Sequence, residues 1–322
     1  MKRTIRIIVL VMILLLYIPQ AAFAAQLLIP GGQLVGLELD NDTVTVAAFD
    51  DTCGAAAREA GLQIGDRILE VNGEAVTTAE DVRDALRRCA EEAELTILRG
   101  SKRKTLKIRP AETREGKRLG VYLRQGIAGI GTVTYYDPES DIFGTLGHGV
   151  SDGSGSLLAM TGGRAGEAAV TSVKKGRTGE PGMLRGNARG EGALGEIIKN
   201  TPQGVFGKSR RGITGEPLPV AAFSDVKPGP AIIRSTVSGG DVREYSVEIL
   251  KIYPEDRPDC RNFLLKVTDP TLLKTTGGIV QGMSGSPIIQ DGKLIGAVTH
   301  VLVNDPTTGY GIFIENMLDA AA

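Results

Sequence analysis

The stretch Gln281-Gly282-Met283-Ser284-Gly285-Ser286-Pro287, followed by a strand-turn-strand pattern over 288–296, decides the fold of the second half of the chain. Glycines on both sides of Ser284 permit a tight loop whose backbone N–H groups point the same way. A serine in such a loop becomes a nucleophile when a neighbouring base accepts its proton. The N–H groups of Gly282 and Ser284 have the spacing of an oxyanion hole, and a hairpin turning at Asp291-Gly292 would hold the loop rigid.

This stretch resembles the Gly-Asp-Ser-Gly-Gly-Pro signature of chymotrypsin-like proteases, with two departures. Met283 replaces the acid, which excludes an ion pair through that side chain. Ser286 replaces a glycine, so it is a rival nucleophile, although the motif match and the oxyanion spacing favour Ser284. The Gly-x-Ser-x-Gly elbow of α/β hydrolases is not completed, because position 286 is a serine.

The chain has two histidines, which limits the choice of a general base. His148 lies among small residues in the stretch 143–149, and histidine is the commonest general base. His300 lies on the strand after the nucleophile, where a structural or substrate-lining role is expected. A carboxylate must orient the imidazole of a triad. Asp269 follows a predicted strand and precedes Pro270, so from spacing alone it is either that carboxylate or a turn residue.

Residues 27–111 predict a small α+β unit. A turn at Gly65-Asp66 leads into a strand, and Asn72-Gly73 predicts a hairpin turn. Thr78 is a helix N-cap with Asp81 at the capping-box position. The stretch Ala60–Gly73 and this order of elements resemble a PDZ domain.

The peptide groove of a PDZ domain starts from a Gly-Leu-Gly-Phe-like loop, where backbone N–H groups bind a peptide carboxylate. We place this groove at Leu34, Val35, Gly36 and Leu37, although Leu34 replaces the first glycine. The alternative is that Gly36 and Leu37 are a turn and a core residue.

Short β-branched runs separated by glycine turns fill the chain from about 119 to 322 and suit a β-barrel or sandwich. We therefore expect a mainly β protein in which an α+β PDZ domain precedes a chymotrypsin-like double β-barrel serine peptidase domain. The expected bounds are 1–25 for a signal segment, 26–112 for the PDZ domain and 113–322 for the peptidase domain.

Composition excludes several classes of function. The formal net charge of -1 does not attract nucleic acid. Two histidines and three dispersed cysteines predict no metal site, and no nucleotide-binding loop or other cofactor motif is present. Cys53 and Cys89 are either buried free thiols or a disulfide pair.

The N-terminus has the layout of a secretory signal. Lys2, Arg3 and Arg6 precede an apolar run from Ile7 to Ile18, and the small-x-small stretch 22–24 follows. Cleavage and retention as a membrane anchor are both open. In either case, the rest of the chain is expected to cross a membrane.

Taken together, the chain resembles the stage IV sporulation protein B family of endospore-forming bacteria. The stretches 28–33, 144–149, 281–287 and 296–301 carry this resemblance. It implies a triad of His148, Asp269 and Ser284, and export from the forespore into the intermembrane space. It also implies self-cleavage, and cleavage of the extracytoplasmic part of a membrane-bound regulator, which releases intramembrane processing of a mother-cell sigma factor.

Two other functions compete with this hypothesis. A PDZ scaffold with an inactive peptidase half would need neither His148 nor Ser284. A broad quality-control protease would resemble the chain around the nucleophile, but those proteases carry the PDZ domain after the protease.

Overall fold

The computed structural model describes residues 26–114, 116–152, 155–189, 194–211 and 214–322, so the predicted signal segment lies outside them. The strands in chain order are β1 (Leu27–Pro30), β2 (Leu34–Phe49), β3 (Arg67–Val71), β4 (Glu74–Ala75), β5 (Ala93–Arg99), β6 (Lys102–Ile108), β7 (Ala111–Thr113), β8 (Gly116–Arg118), β9 (Val121–Tyr136), β10 (Ile142–Thr145), β11 (Gly162–Lys174), β12 (Met183–Arg189), β13 (Gly195–Thr201), β14 (Gly204–Ser209), β15 (Leu218–Pro219), β16 (Gly229–Ser235), β17 (Arg243–Ile252), β18 (Phe263–Val267), β19 (Pro287–Gln290), β20 (Lys293–Leu302) and β21 (Asp305–Phe313). The helices are α1 (Ala55–Glu59), α2 (Ala79–Arg87), α3 (Pro270–Thr276) and α4 (Ile314–Ala321), with a 3₁₀ turn at Phe223–Asp225.

The chain is mainly β, as predicted: the small α+β unit, here called the PDZ unit after its predicted class, is followed by a β-rich part that carries the predicted peptidase residues. Strands from the last third of the chain form a closed barrel with the order β16-β17-β18-β21-β20-β19. The nucleophile loop, residues 281–287, lies between β18 and β19 in the chain and leads into β19. The strands β9 and β10, which precede His148, belong to a 13-stranded sheet that continues into the PDZ unit. The sheet does not separate there because β2 and β9 are single strands of 16 residues each.

Local signals in the PDZ unit form as predicted. The Thr78 side chain accepts from the N–H of Asp81, and the Asp81 carboxylate accepts from the N–H of Thr78, which closes the capping box of α2. The turn before β3 is held by Asp66, which is buried and accepts from the N–H of Gln63 at 2.8 Å. The Arg99 guanidinium pairs with that carboxylate at 2.7 Å, so a buried charge has a partner.

The PDZ and peptidase parts share strands. β1 pairs with β9 and β15, and the first half of β2 pairs with β9 and β11, so residues 27–40 belong to the sheet around the peptidase site. The predicted boundary between residues 112 and 113 lies inside the β7–β8 hairpin.

Three further features of the described residues bear on the sequence predictions. Cys53, Cys89 and Cys260 are all unpaired. No group of metal-ligating side chains is found in the part of the chain that the structure describes. Among the described helices, none has the length and apolar character needed to cross a membrane.

Candidate active site

Two buried threonines of β9 hold the nucleophile loop in place. The N–H of Thr132 donates to the carbonyl of Ser284 at 2.9 Å, and its Oγ1 donates to the carbonyl of Gly282 at 2.8 Å. The Oγ1 of Thr134 donates to the carbonyl of Gly285 at 2.8 Å. Three loop carbonyls are thus tied to one strand, so the loop has little freedom to change shape. Sequence reasoning missed both threonines.

Burial separates the two candidate nucleophiles. Ser286 is fully buried, and its Oγ donates to the Oγ of Ser235 at 3.1 Å. Ser284 is half-buried, and it lines a cavity of about 480 Å³ together with His148 and His300. Met283 is fully buried in the core of the barrel, so its apolar side chain is what that position requires. Burial therefore favours Ser284 over Ser286, and the role of Ser284 as the nucleophile stays a prediction.

The imidazole of His148 is oriented by the main chain. Its Nδ1 lies 2.9 Å from the carbonyl oxygen of Gly149. Because a carbonyl can only accept, Nδ1 carries the proton and Nε2 is left as the basic nitrogen. The Oγ of Ser284 donates to the carbonyl of Thr299 at 2.7 Å. For acyl transfer, this hydroxyl has to exchange the Thr299 carbonyl for His148 as its hydrogen-bond partner.

The predicted oxyanion donors are available. In the described part of the chain, neither the N–H of Gly282 nor that of Ser284 donates a hydrogen bond to another group. Both residues line the cavity that contains the nucleophile. Free N–H groups beside a nucleophile can stabilise the negative charge that develops on a carbonyl oxygen under attack.

Asp269, the predicted third member of the triad, does not line the cavity that contains Ser284 and His148. It is the N-cap of α3, and its carboxylate accepts from the N–H of Leu272 at 2.8 Å. The Nδ1 of His148 has the Gly149 carbonyl as its partner instead. The catalytic role of Asp269 therefore stays a prediction, to which the structure adds a competing explanation: the turn and cap that its place before Pro270 also suggested.

Asp269→Asn distinguishes these two roles. Asparagine caps helices about as well as aspartate, so we expect Asp269→Asn to retain activity within about threefold. Asp269→Ala should lose about 1 kcal/mol of stability. Activity is measured as the rate of labelling by a fluorophosphonate, and stability by chemical unfolding. A loss of about 10⁴-fold in Asp269→Asn would restore the triad assignment, since that is the scale for losing an orienting carboxylate.

The two histidines lie side by side in the cavity, with ring centroids 5.1 Å apart. Burial lowers the pKa of His148 below its ordinary value. Burial, then the charges of His148 and Arg261, lower the pKa of His300 to about 4. The Nδ1 of His300 is buried and has no hydrogen-bond partner among the residues that the structure describes. Both rings are therefore neutral at pH 7, the state in which His148 can accept a proton.

We predict an acid limb of activity below the ordinary pKa of histidine. A lowered pKa keeps the imidazole of His148 neutral as the pH falls past 6.5, and activity is lost only when the pH passes the lowered value. The rate of fluorophosphonate labelling measured from pH 4 to 8 gives this midpoint. A midpoint above 6.5 would mean that a carboxylate stabilises the charged ring, contrary to the geometry described above.

The predicted PDZ groove is in the wrong place. Residues Val35 to Leu37 are paired on both edges, with 129–131 of β9 on one side and 165–167 of β11 on the other, and Leu34 pairs with Thr132 of β9. A strand with both edges occupied has no backbone groups left for an added peptide. These residues are instead central to the sheet, and Leu37 lines the active-site cavity.

A groove of the PDZ type lies between α2 and the first residues of β9. Its cavity measures about 370 Å³. The residues that line it include Ala79, Val82, Arg83 and Leu86 of α2 and Leu119, Gly120, Val121 and Leu123 on the strand side. The signal that could have found it is the apolar-Gly-apolar run at 119–121, which has the same character as the run at 35–37.

The fold and this site define the class of protein: a serine peptidase with a PDZ domain. A model of the SpoIVB peptidase S55 family matches residues 115–318, and a model of the PDZ domain matches residues 54–99. The chain belongs to the SpoIVB peptidase S55 family.

Solved structures with similar folds include two forms of one protease and a PDZ domain. The active form of the Rv3671c protease from M. tuberculosis is 15% identical, covering 61% of this chain and 75% of that one, with a TM-score of 0.39. The inactive form is also 15% identical, covering 59% and 82%, with a TM-score of 0.36. The PDZ domain of an SdrC-like protein from Listeria monocytogenes is 24% identical, covering 26% and 87%, with a TM-score of 0.22. A search of curated proteins found no match.

Proposed function

We propose that this serine peptidase is exported and acts in sporulation signalling. In this proposal, it is secreted from the forespore into the intermembrane space, with its N-terminus as a cleaved signal or a membrane anchor. There it cleaves itself and the extracytoplasmic part of a membrane-bound regulator. The second cleavage releases intramembrane processing of a mother-cell sigma factor.

The observation that carries the peptidase part is the cavity in which Ser284, His148 and the free N–H groups of Gly282 and Ser284 meet. Membership of the SpoIVB peptidase S55 family supports the sporulation part. The basic, apolar and small-residue pattern over residues 2–24 supports export. A scaffold without activity would need neither the available base nor the unpaired donors.

The test replaces the chromosomal gene, in its own bacterium, with a copy that encodes the Ser284→Ala variant. We expect vegetative growth to be unchanged, heat-resistant spores to be lost and the mother-cell sigma factor to remain unprocessed. Normal spores together with poor survival of heat or misfolding stress would favour a quality-control protease instead. A PDZ scaffold is favoured if Ser284→Ala sporulates normally while deletion of the gene does not.

A further inference from the structure

One strand borders both the PDZ groove and the active site. β9 forms the groove wall at 121–123, lines the active-site cavity at Ile127, Gly129 and Ile130, and then holds the nucleophile loop through Thr132 and Thr134. The two sites are therefore at a fixed separation, set by a single continuous element of backbone.

At its groove end, β9 has a free edge. The N–H of Asp50 donates to the carbonyl of Gly120, so Val121 and its partner on β2 form a non-hydrogen-bonded pair. The N–H and C=O of Val121 therefore point away from β2. Val46, opposite Leu123, exchanges its hydrogen bonds with residues 65 and 66 instead, so Leu123 also points away from β2. Among the described residues, no other strand pairs with β9 over 121–125. Val121 and Leu123 thus offer the backbone groups that an added peptide strand needs.

The direction of that peptide follows from the position of the free donors. The N–H groups of Leu119 and Gly120 have no acceptor in the described part of the chain, and Gly120 adopts a φ of +69°. A pair of free backbone N–H groups next to a strand edge suits a terminal carboxylate. The Arg83 and Arg118 side chains line the same cavity together with one acidic side chain, Asp50, so basic groups outnumber acidic ones beside the carboxylate. With its carboxylate at Gly120, the peptide runs antiparallel to β9, and its upstream residues lead toward Ile127 and Ser284.

We propose that the groove and the active site bind one substrate segment, so that the enzyme cuts at a set distance from a free C-terminus. Ile130 lies nine positions after Val121 in the chain, and a strand rises about 3.3 Å per residue. The scissile bond is thus about 8 to 12 residues upstream of the carboxylate, a range that allows for the bulge near Gly126. Val82, Leu86 and Leu119 beside the carboxylate position favour an apolar last residue. This inference rests on cleavage of protein substrates at Ser284.

The test uses the active protein and a pool of peptides of about 15 to 30 residues with free C-termini, a length that spans the expected distance. Mass spectrometry gives the distance of every cut from the C-terminus. We expect a maximum at about 8 to 12 residues. A well-cleaved peptide is then synthesised as the acid, as the C-terminal amide, and with four residues removed between the cut and the end. The amide and the shortened peptide should each lose at least about tenfold in kcat/KM, the loss for one charge-assisted contact.

Two matched charge-reversal variants on α2 test whether the groove sets the distance between the cut and the C-terminus. Arg83→Glu places a negative charge in the groove and should remove the maximum. Arg87→Glu makes the same charge reversal on the same helix. Arg87, like Arg83, lies near Glu80, but it does not line the groove, so this variant should retain the maximum. Cuts spread evenly along the peptides, equal rates for acid and amide, or no peptide cleavage by a protein that still reacts with a fluorophosphonate would each overturn the proposal. Failure of that reaction would count against the peptidase function itself.

Discussion

Ser284→Ala is expected to lose all labelling by a fluorophosphonate and at least about 10³-fold in peptide cleavage, because it removes the hydroxyl that shares a cavity with His148 and with the free N–H groups of Gly282 and Ser284. Ser284 is half-buried at the cavity that also contains His148, and its hydroxyl donates to the carbonyl of Thr299. The measurement is intact mass over time, with and without the probe, on the chain from residue 26. With the probe, the wild type should gain the mass of one probe molecule; without the probe, it should shorten by self-cleavage. The variant should do neither.

Ser286→Ala is the matched control. This serine is two residues away and fully buried, and its side-chain hydroxyl donates a hydrogen bond to the Oγ of Ser235. Its loss should cost about 1 kcal/mol of stability and leave labelling intact. If Ser284→Ala still reacted and Ser286→Ala did not, the loop would have to open far enough to expose the buried hydroxyl, and the assignment would pass to Ser286.

Local patterns predicted the parts of the fold that depend on neighbours in sequence. The capping box at Thr78 and Asp81 and the hairpin after the nucleophile both form, because a cap or a tight turn needs only a few consecutive residues. The nucleophile loop belongs to the same category. Its glycines and its serine lie within the stretch 281–287, so their chemistry could be recognised before any tertiary contact was known.

Long-range pairing explains what the sequence did not predict. Leu34 to Leu37 lost the role of a peptide groove because their partners lie about a hundred residues away, at 129–132 and 165–167. The run at 119–121 has the same apolar-Gly-apolar character, and it borders a groove because the strand that follows it has a free edge beside α2. Thr132 and Thr134 look like ordinary strand residues, since β-branched residues are common in strands. Their contacts with the nucleophile loop span about 150 positions.

Gly285→Ala is expected to disable the enzyme without touching a catalytic atom. Gly285 has a φ of +96°, and a Cβ there would lie 2.1 Å from the carbonyl oxygen of Thr132 and 2.5 Å from the N–H nitrogen of Leu146. Both neighbours are backbone, so the loop itself must move. We expect a loss of about 2 to 5 kcal/mol in the free energy of unfolding. Labelling of the folded protein should slow by at least about 100-fold, because the N–H groups of Gly282 and Ser284 no longer point at one oxygen.

Gly292→Ala separates the shape of the loop from the general strain of a left-handed residue. Gly292 also has a positive φ, of +76°, but nothing lies within 4 Å of the position its Cβ would occupy. Its substitution should cost about 1 to 2 kcal/mol for the backbone conformation and leave the labelling rate unchanged. Chemical unfolding and labelling at a temperature well below the melting point measure both quantities on each variant. Equal labelling rates in the two variants would show that the loop tolerates displacement, and that the contacts of Thr132 and Thr134 do not set the geometry of the oxyanion donors.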